Sequence, residues 1–347
     1  MPHPEPNVWA MQKNRLGANT VKCLFRALVA LSVLFAGADA VLSQGAWAEG
    51  WPNRPIRMIV PYTAGGYTDL MARLVGQKIS EALGQPLVFE NKPGANAIIG
   101  TDVVAKAAPD GYTIGTVIAA HAVNATLNPK LPYDTLKDFT YVSLMSVAPL
   151  IMIAHPSLPA NNVKELIALA KAKPGQLNFA SSGVGAAAHL TMEMFKSRVG
   201  IDMLHIPYKG TAGALQDTVG GQINVMFDVV GPLMPQVRSG NAKALVVTAK
   251  ERIPAAPDVP TMAEAGVPDF VSGTWAGIIA PAGMPKEIVD RISAEAKKAL
   301  ADPAMKEKLA EQGIVAVGST PEEFRAFVTE EIPRWGKVIS DAGIKME

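Results

Sequence analysis

The stretch "YVSLMSVAPLIMIAH", residues 141–155, decides the fold. It stays apolar for about fifteen residues, close to three times an ordinary strand, and is interrupted once, by Pro149. Proline has no N–H to give to a ladder, so it marks a place where a strand loses or changes a partner. The reading that fits is one strand that leaves a first sheet at the proline and enters a second, as at the hinge of a two-lobed molecule. A second crossing is expected in "VSGTWAGIIAP", residues 271–281, after a stretch punctuated by Pro254, Pro257, Pro260 and Pro268. Two crossings predict a discontinuous first domain, residues 51–150 plus 275–347, closed around a second domain inserted at 151–274.

Outward from these crossings, β-type runs alternate with helical ones, which makes the class α/β. "IRMIV", "PLVFEN", "YTIGTVIAA", "LNFAS", "MLHIPY", "INVMFDVV", "ALVVTA" and "IVAVG" read as further strands. Helices are expected near 68–83, 96–107, 163–173, 186–199, 212–219, 286–301 and 321–342. Some carry their own boundaries. Asn161 and Asn162 are available to cap the helix at 163, Pro174-Gly175 ends it, and the helix at 286 follows Pro285 with Ile288, Val289, Ile292, Ala296 and Leu300 on one apolar stripe.

The first fifty residues read differently. Lys13, Arg15, Lys22 and Arg26 precede the short apolar run "ALVALSVLFAGA" at 27–38, and "AWA" at 46–48 offers a small-x-small cleavage site, with "ADA" at 38–40 as competitor. This pattern predicts a signal peptide over residues 1–48 and export to the periplasm of a Gram-negative bacterium. The single cysteine, Cys23, lies before the apolar run, so the exported chain is expected to have no lipid anchor, disulfide, thiolate metal site or cysteine nucleophile. With 32 Lys+Arg against 31 Asp+Glu there is no basic field, and no nucleic-acid partner is expected.

Three strand-to-helix junctions share a composition: "VPYTAGGYTD", "FASSGVGAAAHL" and "IPYKGTAGAL". Each has two glycines and at least one hydroxyl beside a helix start. Free N–H groups of a first helical turn, with the helix dipole, make an anion site without a cationic side chain. One such turn is ordinary in α/β folds, where glycine serves only positive φ; three, spread over both domains, favour a site. Other chemistry is sparse. Gly183, Gly185 and Ala188, with Asp202 further on, imitate a dinucleotide fingerprint, but in mid-chain and in an exported protein. His189 and Glu193 have metal-ligand spacing without a second histidine nearby, and no serine sits in a nucleophile elbow. His121, His155 and His205 each end or follow an apolar run and read as structural.

"VPYTAGGYTDLMAR", "NKPGANAIIGTDVVAKAAPDGYT", "LPYDTLKDFTYVSLM", "SSGVGAAAHLTMEMF" and "HIPYKGTAGALQDTVGGQINVMFD", in this order, resemble the tripartite tricarboxylate transporter substrate-binding receptors, or Bug receptors, over essentially the whole exported chain. The resemblance implies a periplasmic-binding-protein fold of the Venus-flytrap kind, with no enzymatic activity, cofactor or metal. It implies a small organic carboxylate held mainly by backbone amides, hydroxyls and waters. Its partners would be the membrane components of a tripartite tricarboxylate-type transporter, or a sensor protein, with the receptor itself a monomer. The positions carried over are Tyr62, Thr63, Gly65, Gly66, Thr68 and Asp69 in the first domain. In the second they are Ser181, Ser182, Gly183, Gly185, Ala186, His189, Tyr208, Lys209, Gly210 and Asp228. Thr63-Ala64 and Tyr67 depart from the usual first turn, and Tyr67 is expected at the cleft mouth. The competing readings are a secreted α/β enzyme, dinucleotide- or metal-dependent, and a periplasmic ligand sensor.

Overall fold

Strand β1, Ile56–Val60, is flanked in parallel by β2, Leu87–Asn91, and β3, Thr113–Ile118, and all but one of its residues are buried, as a parallel strand covered on both faces requires. These coordinates are a computed structural model that describes residues 50–344; the expected signal peptide and Cys23 lie outside that range. From β3 the sheet continues through antiparallel β9, Gly273–Pro281, to the long strand β4, Phe139–Ala154. Beyond β4 lie β7, Val225–Val229, then β5, Asn178–Ser181, and β6, Leu204–Pro207, the last two parallel to each other. Two short strands, β8 at Lys243–Val247 and β10 at Val315–Ala316, also pair with β4.

The change of partner on β4 falls at the proline. Residues up to Pro149 pair with β9, and Leu150–Ala154 pair with β7. Gly273 faces Pro149, and a β-carbon there would stand 2.6 Å from the Ala148 carbonyl oxygen, so the two crossings approach too closely for any side chain. Thr248 ties them together: its hydroxyl donates to the Ser272 carbonyl at 2.7 Å and accepts from the Leu150 N–H at 2.8 Å. The result is one curled sheet with two α/β lobes, the first around β1–β3 and the second around β5–β7, joined by β4 and β9.

The helices cover the sheet for reasons visible in their sequences. Helix α1, Tyr67–Leu83, buries Met71, Val75, Ile79 and Leu83 at four-residue spacing and stops at left-handed Gly84. Helix α2 is Ile98–Ala105 and α3 is Ala120–Leu127. Helix α4, Val163–Ala172, is capped by Asn162, whose side chain accepts from the Glu165 N–H. Helices α5, Ala187–Val199, α6, Thr211–Val219, and α7, Val230–Arg238, follow β5, β6 and β7. Helix α8, Lys286–Ala301, is followed by α9, Pro303–Ala310, with an Asp302 cap, and α10, Pro321–Asp341, with a Thr320–Glu323 capping box.

Helices α3, α7 and α9 were not expected. In "IAAHAVNATL" the apolar run of β3 continues into α3, and periodicity does not separate a strand from a short buried helix, so the strand expected through Ala120 ends at Ile118. Helix α7 contains Gly231, Pro232 and Pro235, all breakers in a sequence reading, and forms because Val230, Leu233 and Met234 pack into the second lobe. Among the described residues no helix is long and apolar enough to cross a membrane.

Candidate functional site

The C-terminal ends of β1, β3, β5, β6 and β7 and both crossings open onto one space, the position where open α/β sheets bind ligands. Its inner chamber, about 50 Å³, is lined by Tyr62, Thr63, Gly66, Tyr67 and Thr68 from the first lobe. Ser182, Ala186, Gly210, Thr211 and Asp228 line it from the second, and Leu150 and Thr274 from the crossings. A larger outer chamber, about 620 Å³, shares Tyr62, Thr63 and Ser182 with it and adds Gly183, Tyr208 and Lys209.

Four helices begin at the inner chamber, α1, α5, α6 and α7 with its cap residue Val229, and none has a side-chain cap; three of them follow the glycine turns. The cap positions are Gly66 for α1, Ala186 for α5 and Gly210 for α6, residues without a side-chain oxygen to offer. The first intrahelical bonds of α1 and α5 are donated by the Leu70 and Leu190 N–H groups to the Gly66 and Ala186 carbonyls. The N–H groups of Tyr67 and Thr68, and of Ala187 and Ala188, are therefore left outside the helical ladder at the chamber wall. Helices α4, α9 and α10 carry Asn162, Asp302 and Thr320 as caps, whereas α2, α3 and α8 also begin without one.

Behind the chamber, side chains hold these turns in place. Gly65 has φ 85° and donates its N–H to Asp69 Oδ2 at 3.1 Å. Asp69 also accepts from Arg73 Nε and from Asn91 Nδ2, both at 2.9 Å, and the same Asn91 amide holds the Tyr62 carbonyl. Burial pulls the Asp69 carboxyl up, but the bonds from Arg73, Asn91 and Gly65 together hold it below its ordinary value. In the second lobe Gly185, φ 77°, donates its N–H to His189 Nδ1 at 3.1 Å. The His189 ring stacks on His205 with centroids 3.9 Å apart, and His205 stacks on Phe179. His205 Nε2 shares a 2.7 Å bond with Ser181 Oγ, which also accepts the Gly183 N–H. Burial pushes both imidazoles down, His189 to about 3 and His205 to about 4, with Lys196 adding to the effect in each.

The sequence-expected residues thus separate into two groups. Tyr62, Thr63, Gly66, Thr68, Ser182, Gly183, Ala186, Tyr208, Lys209, Gly210 and Asp228 line one or both chambers. Gly65 and Asp69 border a separate pocket beside α1, and Ser181, Gly185 and His189 sit behind the second-lobe turn as bracing groups. Tyr67, expected at the mouth, is buried, with its hydroxyl 2.9 Å from Ser146 Oγ on β4. Asp202 is tied by its carbonyl to the Gly175 N–H, at the end of β5 opposite Gly183, so it does not complete the dinucleotide fingerprint. His189 Nε2 lies 3.9 Å from Glu193, which is bonded to Lys196, and among the described residues no group of three metal-binding side chains occurs.

Three polar groups at the chamber stand out. The Tyr62 hydroxyl and Thr274 Oγ1 are buried without a hydrogen-bond partner. The Asp228 carboxylate is buried, accepts from Thr211 Oγ1 and from the Val229 N–H, each at 2.8 Å, and is pushed up to about 6 by burial against those two bonds. Sequence reasoning missed Thr274 and Thr211, and it missed the segment Gly94–Ala97 in the outer chamber. There Gly94, Ala95, Asn96 and Ala97 all have positive φ, 133°, 46°, 49° and 74°. Asn96 and the buried Asn124 of α3 hold this turn with two bonds, Asn124 Nδ2 to the Asn96 carbonyl and Asn96 Nδ2 to Asn124 Oδ1. The signal available was "PGANA" placed directly before an apolar helix with no capping side chain, which requires an unusual backbone to enter it.

The family model for the tripartite tricarboxylate transporter family receptor matches residues 71–344. BugT of Bordetella pertussis is 38% identical over 323 residues, 92% of this chain and 98% of its own. Among solved structures, Rpa4515 of R. palustris with adipate superposes with a TM-score of 0.82 at 35% identity, covering 85% of this chain and 99% of that one. MatC of Rhodopseudomonas palustris with bound malate gives 0.78 at 35% identity, covering 83% and 100%.

Proposed function

The chain belongs to the tripartite tricarboxylate transporter receptor family, and from that premise we propose that it captures a small organic carboxylate in the cleft between its lobes. Family members are substrate-binding receptors, and two relatives are seen with adipate and malate. The observation that carries the proposal is the meeting of four uncapped helix N-termini at a chamber whose lining includes no lysine or arginine. Each terminus carries roughly half a positive charge and orphan N–H donors, so a carboxylate entering there is desolvated into ready-made bonds. The unpartnered Tyr62 and Thr274 hydroxyls supply further bonds.

In this reading the protein works in the periplasm, delivered by the segment at 1–48, and passes its ligand to the membrane components of a tripartite tricarboxylate-type transporter. The lobes, split near 150 and 275, close about the Pro149–Gly273 crossing when the ligand bridges them. A thermal-shift screen of the purified chain against organic acids tests the capture step. A ligand at a hundredfold excess over its dissociation constant adds about 2.7 kcal/mol, a readily visible shift. Solution scattering should show a smaller radius of gyration with that ligand. No stabilisation by any carboxylate would sink the proposal.

A further inference from the structure

The inner chamber is built to attract an anion, yet one of its walls is itself anionic. Asp228 is the single carboxylate in the lining, and no cationic side chain lines the chamber to balance it. The N-termini of α1, α5, α6 and α7 supply roughly half a charge each, so with Asp228 ionised the chamber suits a ligand end of about one negative charge. Each Asp228 oxygen accepts one bond from the protein, from Val229 N–H or from Thr211 Oγ1, whereas a carboxylate oxygen accommodates about two. Acceptor positions therefore remain beside the place where the ligand carboxylate binds. Resting on the reading of this cleft as a carboxylate site, we propose that Asp228 is a specificity-determining residue that selects carboxylates bearing a hydroxyl or ammonium donor on the carbon next to the carboxylate.

The physical basis is an asymmetry of desolvation. A ligand hydroxyl or ammonium donates to Asp228 and replaces the water it loses on closure. A plain methylene at that place leaves a buried carboxylate under-bonded, and a second ligand carboxylate meets it as a like charge. The small inner chamber seats only the functional end of the ligand, and the outer chamber receives the remainder, so chain length and end-group chemistry are read separately. Because Asp228 is pushed up to about 6, acid converts it from an acceptor into a donor, and discrimination against donor-free acids weakens there.

The test uses calorimetry on the purified chain with malate and aspartate, each against succinate, at pH 7.5 and 5.5. If the thermal-shift screen favours another chain length, the corresponding 2-hydroxy, 2-amino and unsubstituted acids replace them. The expected result at pH 7.5 is a preference for a donor-bearing acid over succinate of about tenfold to a hundredfold. The malate and aspartate arms separate hydroxyl from ammonium. At pH 5.5 the preference should shrink, and near pH 6.5 succinate, but not the preferred acid, should bind with proton uptake, read from heats in two buffers of different ionisation enthalpy. Asp228→Asn should abolish the part of the pH dependence that exceeds the ligand's own titration, together with most of the preference. Thr211→Val removes one bond to the carboxylate and should extend succinate binding to higher pH, which keeps the test sharp if Asp228→Asn folds poorly. Equal affinity for succinate and both donor-bearing acids at pH 7.5, or an Asp228→Asn protein that keeps the full preference, overturns the assignment while leaving the carboxylate site intact. No binding of any acid at either pH overturns the reading of the site itself, and this assignment with it.

Discussion

The turn that begins α1 in the first lobe and the turn that begins α5 in the second are the same backbone device made with different chemistry. In each, a glycine at positive φ donates its N–H to the side chain four residues on, Gly65 to Asp69 and Gly185 to His189. In each, the first residues of the helix, Tyr67 and Thr68 in one and Ala187 and Ala188 in the other, have N–H groups outside the helical ladder at the chamber wall. The first brace is charged. Asp69 is kept ionised by Arg73 and Asn91 at the rim of the molecule. The second is neutral, an imidazole packed in the Phe179–His205–His189 stack. The difference teaches that the feature common to both turns is the exposed amide row, with a carboxylate in one and an imidazole in the other as the acceptor that aims it.

The sharpest way to break this equivalence is at the two glycines, where conformation is shared and surroundings are not. A β-carbon on Gly65 meets nothing within 4 Å, whereas one on Gly185 stands 2.7 Å from Leu127 Cδ2 and 2.9 Å from Asn96 Nδ2 of the first lobe. Gly65→Ala should cost only the positive-φ strain, about 1–3 kcal/mol of stability. Gly185→Ala should in addition crowd the ends of the Leu127 and Asn96 side chains, which must move aside as the lobes close, and weaken ligand binding by about 1–3 kcal/mol, roughly five- to a hundredfold. Calorimetry with scattering on both proteins checks this; equal losses in affinity would show that Gly185 is not a closing contact.

The braces themselves come next in size. Asp69→Leu and His189→Leu each leave a turn N–H without its acceptor, a cost of about 1–3 kcal/mol, or roughly five- to a hundredfold in affinity. Asparagine separates the two cases. At 189 its carbonyl takes the place of Nδ1 and should restore most of the binding. At 69 it keeps an acceptor but strips Arg73 of its counter-charge, and should restore only part. Equal rescue at both sites would mean that the Arg73 ion pair is incidental to the site.

The pH windows of the braces are also distinct. His189 and His205 sit at about 3 and about 4 in the folded chain against an ordinary 6.5. Above 6.5 both states carry these rings neutral; as pH falls below 6.5 the unfolded chain takes up protons that the folded one refuses, so stability drops and levels off near 4 to 3. Asp69, lowered from 3.8, gives up its contribution only below 3.8. Asp228 opposes the histidines, because a folded value of about 6 makes stability rise as pH falls from 6 towards 3.8. The clean readout is therefore a difference curve. His205→Gln keeps a donor for Ser181 and should flatten the melting temperature between pH 6.5 and 4.5 relative to wild type; superimposable slopes would remove the histidine stack as the source.

How much of this was legible follows the same divide between local and assembled features. Pro149 betrayed the crossing because a missing N–H has one local meaning, and Asn162 betrayed a helix start for a similar reason. The glycine turns were legible as composition. What escaped depends on contacts between distant segments. The Asn96–Asn124 pair joins residues on a loop and a helix that the apolar run concealed. His205 read as structural because nothing nearby in sequence shows that it stacks on His189 and bonds Ser181. Thr274 became part of the chamber only because the second crossing passes beside the first.

The smallest effect is expected at Tyr62 of the first-lobe turn, whose hydroxyl, unlike the bonded Ser181 hydroxyl of the second-lobe turn, has no partner. Its hydroxyl is buried without a partner, and burial raises its pKa far above neutrality, so it is a neutral donor waiting in the wall. An unsatisfied hydroxyl contributes nothing to the free protein, and Tyr62→Phe should leave the melting temperature unchanged or slightly higher. With ligand present the same change should remove one neutral hydrogen bond, about 0.5–1.5 kcal/mol, or roughly two- to twelvefold in affinity. The sign difference is the informative part, because a side chain kept for packing would move stability and affinity together. A Tyr62→Phe protein that is less stable without ligand, and that binds as tightly as wild type, would assign the phenol to the fold and leave recognition in the first lobe to the amides alone.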